Sequence, residues 1–175
     1  MKTIQFPNEK FFPDILEWFE KTKTISINLK GNSMRPFLES GRDVGIISKP
    51  EALKKGDVVL AEIEKGHYVL HRVDQVRLNG REVRDACSDP EADVILRGDG
   101  NARGTENCKI KDVRALCVKV KRNGKEYDLK TSLTWKVYSW IWTRALPLRR
   151  YLLALYKLLW RHELPQRWKK KQMKL

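Results

Sequence analysis

The 175 residues predict a mainly β fold, a coiled antiparallel sheet with a short helix before it and an α-helical appendage after it. Three observations carry this prediction. Short apolar runs recur with glycine-bearing turns between them; Asn-Gly pairs, a strong hairpin signal, stand at 79–80 and 123–124; and beyond residue 130 the pattern changes to helical spacing with a positive bias.

Residues 1–23 form the first unit. Phe12, Ile15, Leu16 and Phe19 lie at helical spacing within 11–21, with Pro13 in the first turn, so a short amphipathic helix packed on the sheet is expected. Residues 1–10 include Asn8 and Glu9 and lack an apolar core, so no signal peptide is expected.

The β region covers residues 24–130. An alternating run at 25–29 enters Gly31-Asn32-Ser33-Met34-Arg35-Pro36, where a serine sits between a glycine turn and a proline that cannot donate to a ladder. Such an abrupt exit exposes the hydroxyl. The same residues also suit an ordinary turn, with Met34 and Pro36 as wall and Arg35 in solvent. A turn at 37–43 and a strand at 44–48 follow. Residues 56–63 and 68–73, joined at Lys65-Gly66, read as a hairpin whose second strand carries His71. Further hairpins are expected at 73–86 and 113–129, each around an Asn-Gly pair, with a strand at 94–97 leading into Gly98-Asp99-Gly100-Asn101.

A hydroxyl is a poor nucleophile until a neighbouring base takes its proton, and His71 is the candidate base for Ser33. A strand histidine is also commonly structural. Four segments tip the balance: GNSMRPFL (31–38), GDVVLAEIE (56–64), YVLHRV (68–73) and ILRGDGN (95–101). In order and spacing they resemble the boxes of the signal peptidase I and LexA-like serine peptidases, over residues 24–120. Most bacterial members of that clan carry lysine as the base. A histidine at this place is similar to archaeal and endoplasmic-reticulum signal peptidases, and an imidazole accepts a proton near neutrality without the burial that a lysine needs.

The resemblance implies a peptidase fold and a serine endopeptidase that uses Ser33 and His71 to cleave a leader or signal segment from a peptide or protein. It also implies a supporting acid. Asp99 is the better-matched residue, while Thr105 and Glu106 stand where a later aspartate is expected, so Glu106 becomes the histidine partner if the loop is shifted by one residue. The Ser33 N–H is the natural oxyanion donor, and the Asn32 amide is a second candidate in place of the hydroxyl found two residues before the nucleophile in many signal peptidases, a position that is Gly31 here. Neither a cofactor nor a metal is implied. The alternative is a noncatalytic or regulatory LexA-like module that binds membrane or a protein through its tail. Self-cleavage is disfavoured, because no helix-turn-helix precedes the domain and neither Ala-Gly nor Cys-Gly occurs.

Residues 131–175 form a basic tail, and 12 of the 36 Lys and Arg but one of the 22 acids lie beyond residue 129. Leu133, Trp135, Val137, Tyr138, Trp140, Ile141 and Trp142 make one helical run; after Pro147, residues 148–163 make a second, with a polar stripe at Arg150, Lys157 and Arg161. Neither run has the ~20 uncharged apolar residues needed to span a bilayer. Two readings stay open: a pair of helices lying in an anionic membrane interface, or a helical hairpin packed on the body or on a second copy. Nucleic acid ranks last as a partner, since Lys169-Lys170-Lys171 supply charge without a binding module. A cytoplasmic protein, peripheral at the membrane, is expected. Cys87, Cys108 and Cys117 are odd in number and unpaired in spacing, so reduced thiols are expected.

Overall fold

The structure is a computed structural model that describes residues 3–4 and 15–159. The readings of Phe12, Pro13, residues 160–163 and the lysine run lie outside the described residues. Ten strands form one open sheet: β1 (Thr3–Ile4), β2 (Ile25–Asn28), β3 (Asp43–Ser48), β4 (Val58–Glu64), β5 (His67–Leu78), β6 (Arg81–Glu82), β7 (Asp93–Arg97), β8 (Glu106–Lys109), β9 (Val113–Arg122) and β10 (Lys125–Asp128). The spatial order is β1-β2-β3-β9-β4-β5-β7-β8, with β10 beside β9 and β6 beside β5. All pairings are antiparallel except the short one between β1 and β2.

Both Asn-Gly turns form where expected, and Asn79, Gly80, Asn123 and Gly124 all have positive φ, the backbone of the tight hairpin turns that match strand twist. The 73–86 hairpin is shorter than expected. Its return strand pairs over only two residues, because the chain leaves to exchange two 2.8 Å backbone hydrogen bonds between Cys87 and Leu53. Register shifts within β3, β4 and β5 are the local kinks that coil a sheet.

Both faces of the sheet are covered. Along β4 the side chains alternate, with Val58 and Leu60 in one apolar core and Val59 and Ala61 in the other. Helix α1 (Ile15–Lys21) covers the first core, where Ile15 is fully buried and Trp18 and Phe19 pack alongside. Helices α2 (Leu133–Arg144) and α3 (Arg149–Leu159) follow β10. Trp135 and Tyr138 of α2 join the first core and pack on Phe37 with ring centroids 4.5 and 5.0 Å away. The tail is therefore built onto the body through its inner side. No described helix is long and apolar enough to cross a membrane.

The turn after Ser33 is pinned by Asp43. Its carboxylate accepts from Arg122 Nε at 2.6 Å, Arg42 Nη2 at 2.8 Å and the Glu39 N–H at 2.9 Å. Burial pushes its pKa up, but the hydrogen bonds from Arg122, Arg42 and Glu39 outweigh this and hold it below the ordinary 3.8. A depressed folded pKa gives stability that is complete above the unfolded value and is lost as pH falls through the folded one. Asp43→Asn is expected to cost about 2 kcal/mol at neutral pH, the worth of charged hydrogen bonds lost. Urea melts from neutral pH into the acid range should show a flatter acid limb in the variant than in the parent. Arg35 is not in solvent as expected: it is mostly buried, with Nε 2.9 Å from Glu39 Oε1.

Candidate active site

Ser33 opens a tight turn in which Asn32 O accepts from the Arg35 N–H at 3.1 Å and Met34 O accepts from the Leu38 N–H at 2.8 Å. Met34, Phe37 and Leu38 anchor this turn in the first core. The 98–101 loop lies directly against it. The Gly100 N–H donates to Ser33 O at 2.7 Å, and a Cβ on Gly98 would stand 2.5 Å from that same oxygen, or on Gly100 2.7 Å from Asn32 O. Both glycines are there because two backbones touch.

His71 is placed by β5. Arg72 pairs with Arg97, so the next position along β7 brings Gly98, and with it the Ser33 carbonyl, level with His71. Paired residues share a face of the sheet, so Val73, Leu96 and Glu106 form one row, and His71, two residues from Val73, lies on the same face. His71 Nδ1 is hydrogen-bonded to Glu106 Oε2, with the imidazole buried and the carboxylate about one-third exposed. An Nδ1–H that donates to a carboxylate leaves Nε2 as the ring's acceptor. Strand parity thus decides between Thr105 and Glu106 in favour of Glu106.

Asp99 does not join this pair. Strand neighbours leave on opposite faces, and Asp99 meets Arg72 in a two-pronged pair, Nε to Oδ1 at 2.9 Å and Nη2 to Oδ2 at 2.6 Å. The Arg72 guanidinium carbon lies 4.3 Å from the Phe37 ring centroid and 5.9 Å from that of Tyr138, while Nη1 donates to Gly56 O and Ser139 Oγ, each at 2.8 Å. Asp99 therefore fixes the loop that backs Ser33.

The tail completes this support. Trp142 Nε1 donates to Asp99 O at 3.0 Å, and the buried Arg149 donates from Nη1 to Gly98 O at 3.4 Å and from Nη2 to Trp142 O at 2.9 Å. Arg72, Trp142 and Arg149 are the members that sequence reasoning missed. Arg72 was visible beside His71, whereas one cation among the many in the tail carries no mark of burial.

The Ser33 hydroxyl and His71 are not hydrogen-bonded to each other, and among the described residues the Ser33 N–H and hydroxyl and the Asn32 amide have no hydrogen-bond partner. The Ser33 and Asn32 donors are thus uncommitted, and one ring nitrogen of His71 is held by Glu106. Among the described residues no three or more His, Cys, Asp or Glu side chains group as a metal site requires. The three cysteines are free thiols, and burial pushes Cys108 and Cys117 up to about 12, far from the thiolate form. No family model, no curated protein and no solved structure matches the chain.

Proposed function

We propose that this chain is a serine endopeptidase of the signal peptidase I-like type, which cleaves a leader or signal segment from a peptide or protein. The observation that carries the reading is the buried His71 whose Nδ1 is tied to Glu106, on the sheet face that Glu106 reaches from β8. Ser33 Oγ attacks the scissile carbonyl while His71 Nε2 takes its proton. The tetrahedral oxyanion is met by the Ser33 N–H and the Asn32 amide. Collapse moves the proton from His71 to the departing amine and leaves an acyl-enzyme, which water hydrolyses by the same base. Glu106 is a positioning residue that fixes the tautomer and stabilises the imidazolium.

A pool of unstructured peptides rich in small side chains, incubated with the protein and read by mass spectrometry, tests the reaction. Absence of Ser33-dependent cleavage from any such pool or candidate leader would sink it. Glu106→Gln is expected to lower kcat by about a hundredfold or more with KM little changed, since the wrong tautomer is costly wherever a histidine is the base. Stability should hardly move, because Glu106 is partly exposed. A parallel fall in thermal midpoint would assign Glu106 a structural task instead.

A further inference from the structure

Helix α3 is docked with most of its leucines outward. In α3 the residues turned to the body are Arg149, Leu153 and Tyr156, whose hydroxyl donates to Glu39 Oε1 at 2.7 Å. Leu148, Leu155, Leu158 and Leu159 are each more than half exposed. Helix α2 continues this surface with Trp140 (58% exposed) and Ile141 (48%), while its Trp142 is buried. A helix that packs on a protein normally turns its apolar stripe inward, so the reversed arrangement leaves a large apolar face for something else.

Charge identifies what covers it. Residues 129–159 contain six Lys and Arg and no Asp or Glu. Beside the apolar face lies a cleft of about 690 Å³ in which Lys49, Lys54, Lys55, Lys130, Lys136 and Arg144 outnumber Glu51 and Asp57. Trp140, Lys136 and Arg144 belong to both, and the Arg144 guanidinium carbon stands 4.4 Å from the Trp140 ring centroid. A second copy set on this face by a two-fold axis would bring cations against cations with no acid from either helix. No described helix is long and apolar enough to cross a membrane. The two tail helices suit an interface instead.

We propose that the outward face of α2 and α3 docks into an anionic lipid surface, with the leucines and Trp140 in the acyl boundary and the basic cleft over the headgroup phosphates. The apolar part gives attraction that salt does not screen, and the cleft gives attraction that salt does. This association needs no peptidase chemistry and is read without it. Because α3 also rests on Glu39, in the turn that follows Ser33, the docked protein holds that turn about one helix diameter, ~10 Å, from the lipid.

Sedimentation of the full chain with vesicles of phosphatidylcholine, alone or mixed with phosphatidylglycerol, tests the proposal. The parent should bind the mixed vesicles, more weakly but still measurably at high salt, and bind pure phosphatidylcholine poorly. Leu155→Glu with Leu158→Glu should lower partitioning on the order of a thousandfold, since each leucine forfeits its burial. Lys54→Gln with Lys55→Gln should lower it roughly thirtyfold, and only in the mixed vesicles. Circular dichroism melts would show that these exposed positions leave the fold intact, and Leu155→Gln with Leu158→Gln serves if the charged pair unfolds. The proposal is overturned if the parent stays in the supernatant with mixed vesicles at low salt, or if the folded leucine variants bind as the parent does. Light scattering that shows a dimer broken by the leucine changes, without vesicle binding in the parent, would assign the face to a second copy.

Discussion

Ser33→Ala is expected to abolish peptide hydrolysis, lowering kcat/KM on the order of 10⁴- to 10⁶-fold while leaving the thermal midpoint unchanged. The change removes one hydroxyl that has no hydrogen-bond partner among the described residues, so the fold loses nothing it uses. His71→Ala should reach the same residual rate. The double variant should be no slower than either, because groups that act in one proton transfer are not additive. Hydrolysis by the serine variant at the parental rate would place the nucleophile elsewhere, and a double variant far below both singles would mean that the two residues serve separate steps.

Asp99→Ala is expected to cost about 3–5 kcal/mol, because it strands a buried guanidinium without its ion-pair partner. Arg72 is 3% exposed, and Asp99 is its only carboxylate ion-pair partner among the described residues. Set against a total stability of about 5–15 kcal/mol, such a loss leaves much of the chain unfolded on mild warming. Arg72→Met combined with Asp99→Leu should recover most of the stability in urea melts, since it removes both charges together. That double variant keeps Ser33, His71 and Glu106. Partial hydrolysis by it would separate the support of the loop from the chemistry, whereas a cost for Asp99→Ala below about 1 kcal/mol would show that the guanidinium finds another partner or water.

Much of the sheet was legible because its turns announce themselves. Asn79-Gly80, Lys65-Gly66 and Asn123-Gly124 fix three hairpins, and apolar alternation fixes the strands between them. Strand β8 was not, since Glu106-Asn107-Cys108-Lys109 has neither alternation nor β-branched residues and exists only because β7 offers it a partner. That omission blurred the site as well: without β8 there is no parity to choose Glu106 over Thr105, and Asp99 looks nearer to His71 than its side chain is. In the tail, periodicity told which residues share a face. It did not tell which face meets the body, because that depends on Arg149 reaching the carbonyls of a loop some fifty residues earlier.

The dependence of that loop on Trp142 and Arg149 sets an order of events during synthesis. Translation delivers roughly 5–20 residues per second, so the turn that carries Ser33 and the strand that carries His71 leave the ribosome seconds before the helices that cover Arg72 and Asp99. Throughout that interval the ion pair is open to water and the carbonyls of Gly98 and Asp99 lack their donors. A nascent chain thus carries Ser33 and His71 before the loop packed against Ser33 has gained its contacts from the tail.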